Sequence, residues 1–343
     1  MKKLLNTLYI STPDYYLSLD GENIVVLLEN ETAARVTLHN LEAIVTCGYK
    51  GVSPALLGKC AESGISVCFL KPTGKFLARV SGEQRGNVFL RKTQYRISDN
   101  DEDSLMFAKS FITGKIYNSR WVIERAARDH SLRLDVDKLK NVSLEIKDSL
   151  TKVDTCNSSA ELLGIEGETA VRYFSVFNDL ILQQKEDFKF ITRNRRPPLD
   201  NVNAMLSLSY TLLASMCAAA LETVGLDPYV GFFHTDRPGR KSLALDLMEE
   251  LRSVFADRFV LSLINKKIIS PAMFEKAESG AVILTENGRK LFFTEWQKRK
   301  KEVITHPFLK EKVEWGMVPY TQALLLARTL RGDLDAYPPF MWK

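Results

Sequence analysis

The run His234-Thr-Asp-Arg-Pro-Gly-Arg-Lys-Ser-Leu-Ala-Leu-Asp-Leu-Met-Glu-Glu-Leu-Arg252 contains a turn, the start of a helix and side chains that bind metal ions or phosphate. Its Pro-Gly pair marks the turn, Ser242 is the predicted N-cap, and apolar residues follow at the i, i+3, i+4 spacing of a helix. The pattern predicts a helix over residues 242–263. Asp246 and Glu249 lie three residues apart, so they share one face near the start of this helix.

An imidazole, carboxylates and cations occur together in this run. His234 comes just before the turn and can reach the helix face that carries Asp246 and Glu249. Carboxylates with an imidazole suit Mg²⁺ or Mn²⁺, and neighbouring cations suit a phosphodiester. The cations are Arg237, Arg240 and Lys241. The run therefore predicts a divalent-metal site for nucleic-acid strand chemistry. The alternative is that the acids only complement the helix dipole and that the His is structural.

A second predicted helix carries an acidic residue between two glycines. The residues Ser158-Ser-Ala-Glu161 form a capping box, which opens a helix predicted over residues 158–184. Gly164 and Gly167 each cost a helix about 1 kcal/mol relative to Ala, which indicates a close approach to the backbone there. Glu166 between them is the predicted reason. The alternative is that the glycines serve tight helix packing and that Glu166 is a surface charge.

Motifs in a fixed order extend over nearly the whole chain. They are Gly51-Val-Ser-Pro-Ala-Leu-Leu57, Gly64-Ile-Ser-Val-Cys-Phe-Leu70, Gly164-Ile-Glu-Gly167, Arg196-Pro-Pro-Leu-Asp-Asn-Val-Asn203, Gly231-Phe-Phe-His234 and Asp246-Leu-Met-Glu-Glu-Leu-Arg252. Together they resemble the family of CRISPR-associated protein one, the integrase that inserts new spacers, in its type I-C subgroup. The resemblance implies an α+β fold, with a small amino-terminal β-rich domain for assembly followed by a larger all-α catalytic domain.

The resemblance also implies the site and its chemistry. By motif position the metal ligands fall on Glu166, His234 and Glu249, with Asp246 as an auxiliary catalytic acid. The second ligand acid is Asp in many relatives and Glu here, so direct and water-mediated metal binding both stay open. The implied cofactor is Mg²⁺ or Mn²⁺. The implied reaction is attack of a DNA 3′-hydroxyl on a phosphodiester, or endonuclease cleavage when water attacks instead.

Eight side chains are candidates for binding DNA. Arg237 and Arg240 are expected to hold phosphate, Tyr173 to bond to the substrate backbone, and Arg252 also to orient an acid. The full set is Arg237, Arg240, Lys241, Tyr173, Arg193, Arg195, Arg196 and Arg252. Contacts of this kind give salt-sensitive affinity without base specificity.

The partners that the resemblance implies are nucleic acid and protein. The DNA is double-stranded, both as prespacer and as CRISPR leader-repeat. The chain is expected to form a homodimer, and the small CRISPR-associated protein two bridges two such dimers into a heterohexamer. Whether a further processing nuclease joins this complex stays open. No membrane partner is expected.

Composition agrees with a DNA-processing protein but does not single one out. The 343 residues are 45% hydrophobic and 26% charged, which suits a soluble protein of two domains. The net charge of +5 is mild for a DNA-binding protein, so binding must come from local patches. Five cysteines without a C-x-x-C pair predict free thiols in a reducing cytoplasm. The most apolar stretch, 210–221, is too short for a membrane span and predicts a buried helix.

Periodicity divides the chain at an acidic stretch. Residues 1–97 look β-rich, the acidic segment 98–103 is the predicted linker, and residues 104–343 follow a helical pattern. The closing residues Tyr337-Pro-Pro-Phe-Met-Trp-Lys343 are aromatic and Pro-rich, which is unusual for a free end. They are predicted to dock onto this protein or onto a partner.

Two other functions stay open. The chain could be a non-enzymatic DNA-binding scaffold of a defence complex, with structural acids. It could also be a metal hydrolase of a small molecule, which the Arg and Lys residues around His234 disfavour. The chain contains neither a G-x-x-x-x-G-K-[ST] nor a G-x-G-x-x-G motif, in keeping with a transesterification that needs no nucleotide cofactor.

Overall fold

The computed structural model describes residues 7–10, 12–41, 43–71, 76–80, 82 and 88–343. Its strands are β1 (Thr7–Ile10), β2 (Tyr16–Asp20), β3 (Asn23–Leu28), β4 (Glu31–Thr37), β5 (Ala43–Cys47), β6 (Ser66–Leu70), β7 (Phe76–Val80), β8 (Phe274–Lys276), β9 (Val282–Leu284), β10 (Val303–Thr305) and β11 (Lys312–Glu314). Its α-helices are α1 (Pro54–Glu62), α2 (Val88–Ser98), α3 (Asp101–Asp129), α4 (Val136–Thr155), α5 (Ser159–Ser175), α6 (Asn201–Thr223), α7 (Ser242–Glu249), α8 (Arg258–Asn265), α9 (Glu286–Lys301) and α10 (Val318–Leu330). A π-helix, Arg252–Asp257, lies between α7 and α8.

The chain forms two compact units, and each draws on two separate segments. The first takes its described residues from 1–85 and 272–302, and the second consists of 86–271 and 303–343. The α+β class, with a β-rich amino-terminal part and a larger helical part, is confirmed. The boundaries differ from the predicted ones, because residues 272–302 belong with the amino-terminal strands.

The acidic segment predicted as a linker is the start of a helix. Asn100 caps α3, and its Oδ1 accepts hydrogen bonds from the N–H groups of Glu102 and Asp103, both at 3.0 Å. Asp101, Glu102 and Asp103 form the first turn of α3. Acidic side chains are stabilised at this end of a helix by its dipole. Both α2 and α3 belong to the second unit, so no boundary falls between them.

The described residues of the first unit form three sheets, of which the smallest is the antiparallel pair β8-β9. One has the strand order β1-β5-β6-β7, in which β1, β5 and β6 are parallel and β7 is antiparallel to β6. The third is the antiparallel sheet β2-β3-β4. Helix α1 starts after Ser53, whose Oγ accepts from the N–H of Leu56 at 3.2 Å, and Pro54 takes the first helical position. The core includes the fully buried Leu17, Ile24, Ile44, Leu56 and Val67.

The segment 272–302 completes this first unit. Phe293 of α9 stacks on Tyr9 of β1, with ring centres 4.9 Å apart. At the end of α9, the Nζ atom of Lys300 donates a 2.8 Å hydrogen bond to Thr7 Oγ1. Three aromatic side chains of α9 are nearly or fully buried: Phe292, Phe293 and Trp296. Helix α9 therefore contributes core residues to a unit whose first seven strands all end at or before Val80.

The second unit is helical, apart from the short hairpin β10-β11. Helix α3, at 29 residues, packs against α4, α5, α7 and the π-helix. Helix α6 packs against α7, α10 and the π-helix. Within the described part of the chain, α6 is the one helix long and apolar enough to cross a membrane, but 67% of its most apolar window is buried inside the protein. The prediction of a buried helix at 210–221 is confirmed.

Two predicted helices have different limits in the structure. The helix predicted over 242–263 is α7, the π-helix and α8 in succession, because a pattern with period 3.6 contains no signal for the wider π turn. Ser242 is not the N-cap: Lys241 occupies that position, and Ser242 Oγ donates instead to the carbonyl of Thr235 at 3.2 Å. Helix α5 ends at Ser175 rather than at residue 184.

The carboxyl-terminal tail, residues 337–343, folds back onto the second unit. Tyr337 and Phe340 are buried, and the N–H of Phe340 donates to Glu250 Oε2 at 2.5 Å. The hydroxyl of Tyr337 donates to the other oxygen of Glu250. Asn118 of α3 donates to the carbonyls of Glu250 and Phe340, each at 2.6 Å. The predicted docking is thus confirmed, and the tail is bound to the carboxyl end of α7.

Candidate metal centre

Asp246 fixes the loop that carries His234. Its Oδ2 accepts hydrogen bonds from the N–H groups of Phe232 at 2.7 Å and Phe233 at 3.0 Å. Its Oδ1 accepts from the N–H of His234 at 3.0 Å and lies 2.6 Å from His234 Nδ1. Gly231 permits this approach, because a Cβ atom there would stand 2.8 Å from Asp246 Oδ2. Asp246 is fully buried, and four contacts use the lone pairs of its two oxygens.

The contact with Asp246 leaves the Nε2 atom of His234 available for a metal ion. A carboxylate on the other ring nitrogen orients the imidazole and strengthens it as a ligand in many metal sites. The predicted role of Asp246 as a catalytic acid does not fit its position, because both of its oxygens are occupied within the protein. Asp246 is a positioning residue for His234. The helix face that Asp246 shares with Glu249 predicted its position near the site, but sequence spacing does not predict which groups its carboxylate binds.

Lys115, which no motif singled out, joins the two predicted glutamate ligands. Its Nζ atom lies 2.6 Å from Glu249 Oε2 and forms an even shorter ion pair with Glu166 Oε1. Lys115 comes from α3, Glu166 from α5 and Glu249 from α7. The carboxylates of Glu166 and Glu249, from different helices, therefore both contact the ammonium group of Lys115.

Glu249 is ionised although it is buried. Its side chain is 3% exposed, and Arg252 Nη1 donates to Oε1 at 2.7 Å and to Oε2 at 3.0 Å. Burial alone raises the pKa of Glu249, but the charges of Arg252, Lys115 and His234 more than offset burial and hold that pKa well below its ordinary value. A carboxylate whose pKa is lowered in this way carries its charge near neutral pH and can bind a cation.

The donor set suits a hard divalent ion. Two carboxylates that converge on one cation, with an imidazole nitrogen on the neighbouring loop, are ligands of the kind that Mg²⁺ or Mn²⁺ takes. Among the described residues, no three His, Cys, Asp or Glu side chains stand close enough to hold a metal ion as they are. The ammonium of Lys115 is in contact with one oxygen of each of the two carboxylates that would hold such an ion.

The face of α5 beside Glu166 is open. No described atom lies within 4 Å of a Cβ atom built on Gly164 or on Gly167. The interpretation of these glycines as sites of tight helix packing is therefore wrong, and no part of the described chain makes the close approach that they were taken to indicate. The free space leaves room for a molecule outside the chain.

A cavity of about 540 Å³ adjoins this open face. Its lining includes Lys115, Glu166, Arg193, Tyr210, Arg252 and Asp257. The hydroxyl of Tyr210 donates to Asp257 Oδ1 at 2.5 Å, and the guanidinium of Arg252 lies 4.5 Å from the centre of the Tyr210 ring. Cations thus stand on the wall of a cavity that begins at a predicted metal ligand.

The stability of this buried network should depend on pH. Burial raises the pKa of Asp257 to about 6 in the folded protein, against an ordinary value of 3.8, despite the opposing hydrogen bond from Tyr210 and the charge of Arg252. The folded state therefore holds this proton more tightly than the unfolded state, and the resulting stability is lost as the pH rises from about 4 to about 6. We expect the free energy of unfolding of wild type minus that of Asp257→Asn to fall across this window, by about 1 kcal/mol per pH unit. Urea unfolding of both proteins measures it, and a difference independent of pH would contradict it.

The sequence matches the family model for CRISPR associated protein Cas1 over residues 8–298. The chain belongs to the Cas1 family. A Cas1 relative from Rhodospirillum rubrum, the CRISPR-associated endonuclease Cas1 2, is 49% identical over 351 residues. The alignment covers all of this chain and all of the relative. The resemblance to CRISPR-associated protein one is confirmed, and the type I-C subgroup stays a prediction.

Two solved structures share the Cas1 fold with this chain. A casposase bound to integration product superposes with a TM-score of 0.84 and 25% identity, covering 98% of this chain and 93% of that one. A chain of the Cas6-RT-Cas1–Cas2 complex gives a TM-score of 0.82 and 23% identity, covering all of this chain and 36% of that one.

The side chains of this Cas1 chain that are predicted to contact DNA differ in their exposure to solvent. The exposed or partly exposed ones are Arg195, Arg196, Arg237, Arg240 and Lys241. Arg193 is partly buried and donates to Asn203 Oδ1 at 2.7 Å and to Ser207 Oγ at 3.1 Å. Tyr173 is 3% exposed, and burial together with Asp257 raises its pKa well above 10. A direct DNA contact does not fit the buried hydroxyl of Tyr173, nor Arg252, which is bonded to Glu249.

Proposed function

We propose that this chain is a metal-dependent DNA integrase of CRISPR spacer acquisition, with associated endonuclease activity, and that Glu166, His234 and Glu249 hold its metal ion. The observation that carries the proposal is the convergence of Glu166 and Glu249, from separate helices, on one cation. His234 lies on the loop bound by Asp246, with its Nε2 atom left available. The relatives with the same fold include an endonuclease and a casposase bound to integration product.

The chemistry divides between the bound ion and the side chains around it. Mg²⁺ or Mn²⁺, when bound, polarises the scissile phosphate and favours deprotonation of the attacking 3′-hydroxyl. Arg252 keeps Glu249 ionised and fixes its orientation, and Asp246 fixes the orientation of the His234 ring. The attack forms one phosphorus–oxygen bond and breaks another, so no nucleotide cofactor is consumed.

Substrate binding falls to the open surface around these ligands. Arg237, Arg240 and Lys241 lie on the turn between His234 and α7, where their side chains are exposed or partly exposed. They bind phosphate there without reading base sequence. The open face of α5 beside Gly164 and Gly167 admits the DNA backbone next to Glu166.

The proposed partners follow from the same assignment. The chain takes double-stranded DNA, both prespacer and CRISPR leader-repeat, and it forms a homodimer. In this proposal Cas2 bridges two such dimers into a heterohexamer. The presence of the same fold in a Cas6-RT-Cas1–Cas2 complex supports Cas2 as the partner. The protein works in the cytoplasm, and we assign it to the type I-C subgroup on its motifs.

The direct test is strand transfer by the His234→Ala variant. With a 3′-overhang duplex, a leader-repeat target and Mn²⁺, the strand-transfer rate of the variant should be about 100-fold or more below that of wild type. The variant lacks the proposed metal ligand His234, which Asp246 orients. The wild-type reaction should stop in EDTA. The matched control is His130→Ala, since His130 is exposed at the end of α3.

DNA binding and thermal unfolding of both variants are measured alongside the rate. Retained binding with lost strand transfer supports an enzyme. Full metal-dependent activity in His234→Ala would contradict the assigned site, and wild-type DNA binding without any strand transfer would favour the non-enzymatic scaffold.

A further inference from the structure

Lys115 is the cation at the centre of the proposed metal site. Its side chain is 12% exposed, against 18% for Glu166 and 3% for Glu249, so all three charges are largely removed from water. The residue before it, Gly114, lies so close to α7 that a Cβ atom there would stand 2.9 Å from Glu250 Cβ. This close packing of α3 on the end of α7 brings the ammonium of Lys115 within reach of the carboxylates.

The ammonium neutralises charges that would otherwise repel one another. Two carboxylates that share a largely buried site cannot both stay ionised without a compensating positive charge. Arg252 also contacts Glu249, at 2.7 Å and 3.0 Å, whereas Glu166 pairs with Lys115. Lys115 is therefore the charge that allows Glu166 to lie beside Glu249 when no metal ion is present.

A divalent ion and the ammonium compete for the same two carboxylates. The metal would be held by Glu166 and Glu249, which now accept hydrogen bonds from Lys115. Two cations held between the same pair of carboxylates would repel each other strongly. Binding of the metal and the double contact of Lys115 thus exclude each other.

We propose that Lys115 is a built-in substitute for the metal ion, one that keeps the two ligands together in the metal-free protein and is displaced when the ion binds. The proposal rests on the proposed metal site. It predicts two opposite effects of removing the charge. The metal-free protein loses stability, because the carboxylates repel each other. The metal ion binds more tightly, because its competitor is gone and the repulsion that it relieves is larger.

The test compares Lys115→Met with wild type by calorimetric titration of Mn²⁺ and by thermal unfolding in EDTA. Lys115→Met should bind Mn²⁺ at least about tenfold more tightly, a difference of about 1.4 kcal/mol, and should unfold at a lower temperature in EDTA. Lys115→Arg keeps the charge and should keep the weaker binding. Lys109→Met is the control on the same helix, because the Nζ atom of Lys109 donates to the carbonyl of Asp154, at 3.0 Å, and not to a proposed ligand.

Each outcome has a definite meaning. Unchanged or weaker Mn²⁺ binding by a folded Lys115→Met would overturn the proposal and leave a purely structural lysine. Failure of wild type and variant alike to bind Mn²⁺ would instead overturn the proposed metal site. If Lys115→Met does not fold, a crystal structure of wild type with saturating Mn²⁺ decides. In that structure the Nζ atom of Lys115 should no longer contact the carboxylates of Glu166 and Glu249. If Nζ still contacts both carboxylates beside a bound ion, the proposal is refuted.

Discussion

Glu249→Gln should reduce metal-dependent strand transfer about 1000-fold, since a bound ion supplies several kcal/mol of transition-state stabilisation and each 1.4 kcal/mol is a factor of ten. The variant keeps the shape of the side chain and removes its charge. Glu249 is also the counter-charge of Lys115 and Arg252, so the change removes the carboxylate that Arg252 binds and leaves Lys115 paired with Glu166 alone, in a largely buried site. Breaking buried ion pairs costs about 3–5 kcal/mol of stability. The rate must therefore be expressed per folded molecule, with circular dichroism and thermal unfolding measured on the same samples.

Glu168→Gln is the matched control for this prediction. Glu168 lies on α5 two positions after Glu166, but its side chain is 45% exposed and pairs with Lys152 and Arg172. Exposed ion pairs contribute about 1 kcal/mol or less, so activity and stability should stay near wild type. A Glu249→Gln protein with the wild-type rate per folded molecule would remove Glu249 from the catalytic site. An equal loss in Glu168→Gln would mean that the assay responds to charge in general.

Deleting the tail, residues 337–343, should lower the unfolding temperature by about 10 °C or more. Burial of one large aromatic side chain such as Phe340 is worth about 3–5 kcal/mol, and each kcal/mol corresponds to about 2–4 °C in a protein of this size. The deletion also removes the bonds from Tyr337 and Phe340 to the fully buried Glu250. Burial already raises the pKa of Glu250 to about 7 against these hydrogen bonds, so their loss leaves a poorly solvated carboxyl beside Glu249. Strand transfer should fall together with stability.

Point variants keep this prediction testable if the deletion does not fold. Phe340→Leu should lower the unfolding temperature by a few degrees, whereas Met341→Ala should have little effect, because Met341 is 38% exposed. Differential scanning calorimetry measures all three proteins. A truncated protein that unfolds at the wild-type temperature would mean that the tail contributes nothing to the fold.

Local patterns led to the proposed ligands but not to their counter-charge. The helical face and the family motifs pointed to Glu166, His234 and Glu249, which lie on separate elements of one unit. Lys115 is 51 residues from Glu166 in sequence and resembles any other lysine of a long helix. Its role depends on how three helices pack, which periodicity does not encode. The signal that could have found it is Gly114, a glycine in the middle of a long helix, where close packing is the usual reason.

Other predictions failed for the same physical reason. Asp246 shares a helix face with Glu249, but the N–H groups of a loop twelve to fourteen residues earlier determine what its carboxylate binds. The acidic segment 98–103 has the composition of a linker and also that of a helix start, and the N-cap Asn100 decides between them. In both cases the residue types were identified correctly, and the tertiary contacts that assign their roles lie outside the local window.

The position of α9 in the first unit affects the order of biosynthesis. The strands of that unit leave the ribosome early, but Phe292, Phe293 and Trp296, which complete its core, follow only after residues 86–271 have been made. At a translation rate of about 5–20 residues per second, the delay is roughly 10–40 seconds. During that time the apolar surface that α9 will cover lacks its partner on the nascent chain.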